Sequence, residues 1–306
     1  MTMRLELGIN TCFAVKRWPR PDDWSPIVAG RLGLGLVEHS FDLVDLSAET
    51  ATAQAEALLD ATSKAGLTVS STFTGLAAYS SNLMLSPDQT VVESAMSWYR
   101  AAIAFTGRVG ATATGGHVGA MSVADWRAGR RRRARWEALR ASLDQLAGEA
   151  KAHGLQALLV ENLASAREPS TMATIRDLLT EGDAAHVPIR LALDVGHMCV
   201  SGTVGADRDP YAWLRELGTA AFEVQLQQSD AEGDHHWPFT PDANGRGRID
   251  ADRVIDALGE AGVERLALVL EIIPPFEQDD DSVLDDLRAS VDYWREALSR
   301  RGVLTA

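Results

Sequence analysis

The chain has 306 residues, 46% of them hydrophobic and 24% charged, which is ordinary globular composition for one large domain or two small ones. A formal net charge of −14 opposes nucleic-acid binding unless basic residues are gathered in one place. Two cysteines, Cys12 and Cys199, make no disulfide framework, no apolar run nears the roughly 18 residues that span a bilayer, and Met1 to Leu7 lacks a signal-peptide core. A cytoplasmic protein with neither membrane nor nucleic-acid partner is expected.

In chain order, a first strand is predicted near 5–12, followed by a long loop, 13–26, whose Trp18, Pro19, Pro21 and Trp24 suit a pocket wall. A second strand lies near 35–41. Apolar positions at helical spacing then predict a helix over 47–65 that stops at Gly66. The third strand, near 67–74, is weak and Ser/Thr-rich. Ser86-Pro87-Asp88 opens a helix over 87–107. A weak fourth strand near 111–118 precedes a helix over 132–153, with Trp136, Leu139, Leu143, Leu146 and Ala150 on one face. The run Arg130-Arg131-Arg132-Arg133-Ala134-Arg135 reads as a solvated helix start or subunit contact, with a polyanion patch as the lesser alternative. Strands follow near 155–162, 189–195, 221–228 and 265–273, with helices over 250–261 and 281–299. Eight strands alternating with helices predict a single (β/α)8 barrel over residues 1–306; an open doubly wound sheet is the competing topology. A homo-oligomer is left open.

Four strands in the second half end in polar side chains: Glu161, Asp194, Gln225 and Glu271, spaced by 33, 31 and 46 residues, or one strand plus one helix each time. A barrel enzyme builds one site from several strand ends in this way. Period-two alternation puts Ala157, Leu159 and Glu161 on one face, and Ala267, Val269 and Glu271 on another. Two carboxylates across a site suit proton removal on one side of a substrate and delivery on the other. The plain alternative is a rim glutamate paired with Arg or Lys. In Asp194-Val195-Gly196-His197, glycine permits a sharp turn that brings His197 back beside Asp194, and both suit a divalent cation. Glu223, Gln225 and Gln227 share one face. Gln225 offers a neutral oxygen suited to Mg²⁺ or Mn²⁺, and a polar barrel layer explains it nearly as well. His117 ends the fourth strand after two glycines. His235 and His236 lie in the long loop 229–248, and one of them, taken as His236, is expected at the substrate. Lys16, Arg17, Arg246 and the Gly245–Arg248 segment can hold a phosphate, although solvated surface charge accounts for any one of them alone.

The motifs Val160-Glu161-Asn162, Leu193-Asp194-Val195-Gly196-His197 and Leu270-Glu271-Ile272 resemble, in order and at barrel spacing, the xylose isomerase-like TIM barrel superfamily of sugar isomerases, sugar epimerases and endonuclease IV-type enzymes. The resemblance runs over nearly the whole chain. It implies one divalent metal ion, Mn²⁺ or Mg²⁺ first with Zn²⁺ or Co²⁺ left open, bound by Glu161, Asp194 and Glu271. It also implies Glu161 and Glu271 as an acid/base pair, and His197 as a substrate contact. The family's strand-seven pattern has histidine where this chain has Gln225, so Gln225 stands at the ligand position. Residues 8–19 and His39-Ser40-Phe41-Asp42 resemble a branch of erythrulose-phosphate epimerases, which implies a phosphate-bearing tetrulose.

The expected activity is therefore metal-dependent epimerisation or isomerisation of a sugar or sugar phosphate through an enediolate. The alternatives are a polyol-ketone dehydratase on the same barrel, an endonuclease IV-like nuclease, and a non-catalytic sugar-binding barrel. The nuclease is disfavoured by the net charge and by only seven histidines, of which His153 and His186 read as surface residues.

Overall fold

Eight parallel strands close into a barrel in sequence order: β1 (Arg4–Asn10), β2 (Leu36–Ser40), β3 (Thr68–Phe73), β4 (Ala113–Gly116), β5 (Ala157–Glu161), β6 (Ile189–Asp194), β7 (Ala221–Leu226) and β8 (Arg265–Leu270). β8 pairs back onto β1 over six residues, Arg4↔Arg265 to Ile9↔Leu270. The computed structural model describes residues 3–303, so residues 1–2 and 304–306 of the expected domain lie outside the described residues. The barrel is the (β/α)8 TIM barrel expected from the alternation of strand and helix.

Ten helices lie between or after the strands: α1 (Pro21–Pro26), α2 (Ala51–Ala65), α3 (Gln89–Arg108), α4 (Val123–Arg127), α5 (Gly129–Ala152), α6 (Met172–Leu178), α7 (Pro210–Leu217), α8 (Pro241–Arg246), α9 (Ala251–Glu260) and α10 (Asp280–Arg300), among the described residues. Their starts follow local chemistry. Asp88, Ser122, Thr171, Asp209, Thr240, Asp250 and Asp279 each accept a backbone N–H of the first turn, and proline follows at Pro210 and Pro241. All eight expected strands are present, each ending one to three residues early, with starts within two residues of those expected. The helices that periodicity did not predict, α1, α4, α6, α7 and α8, are five to eight residues long. An apolar repeat of 3.6 cannot declare itself over so few positions.

The main core lies between strands and helices, anchored by the fully buried Trp24, Trp213 and Trp294. Trp24 thus supports the barrel from α1, 5.6 Å from the His39 ring, and is not the pocket wall expected from its loop. Truncating such a residue to alanine costs about 3–5 kcal/mol. The Arg130–Arg135 run begins α5: Arg131 and Arg135 both reach Asp125, and Arg132 covers the Trp126 ring.

The barrel interior is different. Ala113, Ala157, Leu159 and Ala192 form a small apolar plug. Beside it lies a buried polar layer. Glu38 Oε2 accepts from Asn10 Nδ2 (2.7 Å) and Gln225 Nε2 (3.1 Å), and Glu223 Oε2 accepts from Ser71 Oγ (2.7 Å). The ladder register shifts between Val37 and Glu38, and between Leu191 and Ala192, where inward side chains are re-aimed next to the functional end of the barrel.

Candidate active site

Glu161 is the last residue of β5, Asp194 the last of β6, and Glu271 follows β8 directly. Each is buried: Glu161 and Asp194 have no exposure and Glu271 only 3%. Backbone groups set their aim. Asp194 N–H donates to Asn162 Oδ1 (3.0 Å), Asn162 Nδ2 returns a bond to Asp194 O (2.9 Å), and Glu271 N–H donates to Leu226 O (2.9 Å). Asp194 Oδ1 also accepts from Gly196 N–H at 2.6 Å, which holds the turn after β6 and brings His197 back over the barrel mouth.

Four histidine and aspartate side chains complete the mouth. His197 Nδ1 faces the Asn162 carbonyl at 2.7 Å and Glu161 Oε1 at 3.3 Å; its Nε2 lies 3.2 Å from Asp234 Oδ2. With an acceptor at each ring nitrogen, the imidazolium form fits this position. Burial alone favours neutral imidazole, but Asp194 and Asp234 outweigh it and hold His197 well above its usual range. His236, on the loop after β7, places Nε2 3.1 Å from Asp234 Oδ1 and Nδ1 3.8 Å from Glu271 Oε2. His117, on the loop after β4, points Nε2 at Glu161 Oε2, 3.5 Å away. Asp234 therefore bridges two imidazoles from different loops.

Both carboxylate oxygens of Glu161, Glu271 Oε2 and His117 Nε2 are buried without a hydrogen-bond partner among the described residues. Burial, and then the neighbouring carboxylates, push Glu161 and Glu271 well above the ordinary glutamate range. Ionising a buried carboxyl whose oxygens lack hydrogen bonds costs several kcal/mol. A cation or a polar substrate relieves it. Two groups of donors, Glu161/Asp194/His197 and Asp194/His236/Glu271, each present ligand atoms within 4.8 Å of one another, as does His197/Asp234/His236. The buried His/Asp/Glu clusters thus have the composition and spacing to hold a metal ion.

Strand tilt staggers the inward side chains of β7. Gln225, expected at the ligand position, turns its amide to Glu38 in the layer below the mouth. Gln227, two residues on, reaches the mouth instead: its Nε2 lies 3.1 Å from Asp194 Oδ2 and 2.9 Å from Asp234 Oδ1, while its Oε1 accepts the His236 N–H at 2.7 Å. That last bond fixes the amide with nitrogen towards the carboxylates.

The expected phosphate contacts are dispersed. Arg17 bonds Asp280 (2.5 Å) and the carbonyls of Pro275, Phe276 and Gln278, tying the loop after β1 to the loop after β8. Arg246 pairs with Asp242 and covers the Trp237 ring. Gly247 and Arg248 spend their N–H groups on Ala243 O and Ser229 O, because Pro241–Arg246 is a helix where a loop was expected. Lys16, exposed at the rim over the Phe276 ring, has no carboxylate partner among the described residues.

Sequence reasoning did not assign Asp234, Tyr79 or Glu168 to the site, and it put Gln227 on the inward face of β7 without giving it a role. Tyr79 Oη lies 2.9 Å from His197 Nε2. Glu168, on the loop between β5 and α6, is only 7% exposed, and burial raises its carboxyl to about 7, with His197 and Arg167 opposing. Asp234 left a local signal in the Asp234-His235-His236 triplet, and Gln227 left one in the alternation of its strand.

The sequence pattern of the xylose isomerase-like TIM barrel matches residues 28–297. The chain belongs to this family. Within the xylose isomerase-like family, it is 27% identical over 303 residues to a D-erythrulose 1-phosphate 3-epimerase of Brucella abortus, covering 95% of this chain and 96% of that protein. A provisionally assigned xylose isomerase from Rhodospirillum rubrum superposes with a TM-score of 0.87 at 33% identity, covering 95% of this chain and 99% of that one. A D-psicose 3-epimerase of Clostridium cellulolyticum shares the fold with a TM-score of 0.67 at 16% identity, covering 96% and 99%.

Proposed function

We propose that the chain is a metal-dependent sugar or sugar-phosphate epimerase, and that its reaction is 3-epimerisation of a tetrulose phosphate. The observation that carries this reading is the pair of buried glutamates, Glu161 and Glu271, at strand ends on either side of Asp194, with three of their four carboxylate oxygens lacking a hydrogen bond among the described residues. The similarity to the Brucella abortus enzyme supports the tetrulose phosphate as substrate.

Glu161, Asp194 and Glu271 would hold the ion, with His236 in the nitrogen position that β7 does not fill. When bound there, a divalent cation polarises the substrate ketone and neighbouring hydroxyl, making the adjacent C–H more acidic. One of the two glutamates removes that proton, and the other returns a proton to the opposite face of the enediolate, inverting C3. Their raised proton affinity matches this exchange of a proton with carbon. His197, held by Asn162 O and Asp234, donates towards a substrate oxygen. Gln227 orients Asp194 and Asp234 with its amide nitrogen and offers no oxygen to the ion. The phosphate lies towards Lys16, the rim cation left without a carboxylate. Return of the proton to C2 instead of C3 would move the carbonyl to C3 and give an isomeric ketose phosphate.

The test incubates manganese-loaded protein with D-erythrulose 1-phosphate, and separately with free D-erythrulose, in deuterated water. Inversion at C3 with one deuterium incorporated is expected for the phosphate. Loss of water by mass would mark a dehydratase, and no exchange with either tetrulose would refute the reading.

A further inference from the structure

The carboxylates assigned to catalysis are shut in, and the segment between β3 and α3 does the closing. Tyr79 stands over the histidines beside them. Its hydroxyl lies 2.9 Å from His197 Nε2 and 3.4 Å from Asp234 Oδ2, and its ring meets the His117 ring edge-on with centroids 3.9 Å apart. A charged imidazole and a carboxylate are good partners for any hydroxyl, so Tyr79 Oη occupies contacts that a polyol substrate would also seek.

The segment carrying Tyr79 is latched at one side and bounded by two unusual backbone positions. The Asp42 carboxylate accepts the N–H groups of Leu76 (2.6 Å) and Ala77 (3.0 Å), and also receives the Ser40 hydroxyl (3.0 Å). Gly75 begins the segment at φ +79°, and a Cβ there would lie 2.5 Å from Asp42 Oδ2. Leu83 ends it at φ +44°, where a non-glycine residue is strained. Behind it lies a cavity of about 280 Å³ lined by Phe41, Val44, Thr74, Ala78, Leu83 and Trp98. Room behind a covering turn allows displacement without disturbing the barrel.

We propose that Tyr79 is the gate of the site: its ring covers His117 and Glu161, its hydroxyl holds the place of a substrate hydroxyl between His197 and Asp234, and residues 75–83 pivot to exchange one for the other. The identity of that substrate hydroxyl rests on the epimerase reading; the gate does not.

His117 is the reporter. It is 1% exposed and its Nε2 has no hydrogen-bond partner among the described residues, so diethyl pyrocarbonate modifies it only when the covering segment moves aside. His153, exposed at the end of α5, is the internal standard. Labelling is followed by peptide mass spectrometry on wild type, Tyr79→Ala and Tyr79→Phe, with circular dichroism to check the fold. Wild-type His117 should label far more slowly than His153. Tyr79→Ala should label His117 at least about tenfold faster, the scale of one lost charge-assisted hydrogen bond, while His153 is unchanged. Tyr79→Phe, which keeps the ring and loses the hydroxyl bonds to His197 and Asp234, should fall between. A wild-type His117 rate equal to that of His153, or an unchanged rate in Tyr79→Ala, overturns the gate. Should Tyr79→Ala fail to fold, Tyr79→Phe at the wild-type rate overturns it. Turnover of D-erythrulose 1-phosphate is assayed on the same samples. Turnover with unchanged His117 labelling contradicts the gate alone, and gated labelling without turnover contradicts the epimerase reading alone.

Discussion

Replacing Glu168 with glutamine should stabilise the metal-free protein at alkaline pH and leave it nearly unchanged in acid. The buried carboxyl has a folded-state pKa of about 7 against an ordinary value of 4.5. Below the ordinary value it is protonated in both folded and unfolded chains and contributes nothing. As pH rises from 4.5 to 7, the unfolded chain ionises first, so the fold loses stability progressively; above 7 the full penalty is present. The gap of two and a half pH units corresponds to about 3 kcal/mol as an upper limit, and local relaxation and water penetration on ionisation reduce it to about 1–2 kcal/mol. Glutamine keeps the shape and never ionises. Urea unfolding of wild type and Glu168→Gln, both treated with chelator, is to be measured at pH 5 and pH 8. The variant should gain about 1–2 kcal/mol more over wild type at pH 8 than at pH 5. An equal difference at both pH values would show that the Glu168 carboxyl is not held in a desolvating site.

Further outcomes follow from the same geometry. Glu161→Gln and Glu271→Gln should each reduce turnover at least about a thousandfold, since each removes one of the two proton carriers; retained turnover in either removes that residue from its role. Lys16→Ala should raise KM for a phosphorylated tetrulose and leave KM for the free sugar unaltered, as read by initial rates on both. Gly119→Ala should cost about 3 kcal/mol or more in urea unfolding: φ is +102° and a Cβ would lie 1.9 Å from the Asn82 carbonyl oxygen, a backbone atom.

The barrel was legible because its signals are local and repeated. Strand β6 shows an apolar run ended by Asp194 and Gly196, and α5 shows a full apolar face from Leu139 to Ala150. Short α4 and α6 carry only a cap and one to two turns, too few positions for a period to show. At the site, strand alternation brought out Glu161, Asp194 and Glu271, which the structure places together. It also put Gln225 and Gln227 on one face, of which Gln225 turns to Glu38 and Gln227 reaches the mouth. Barrel tilt decides which inward layer reaches the mouth, and one strand read alone does not carry that information. Asp234 and Tyr79 reach His197 from loops 37 residues downstream and 118 upstream. Contacts over such separations have no sequence period. Arg17 and Arg248 looked like free cations in the chain; folding commits both to carbonyl oxygens of neighbouring loops.

The most direct measurement is the C3 proton of D-erythrulose 1-phosphate, followed by proton NMR in deuterated water. With manganese-loaded wild-type protein, the C3 signal should disappear as the inverted epimer forms. It should persist when the protein is stripped with chelator, and again with Glu161→Gln. A C3 signal that survives with the loaded wild-type protein, or one lost equally fast with Glu161→Gln, would contradict proton transfer by the barrel-mouth glutamates.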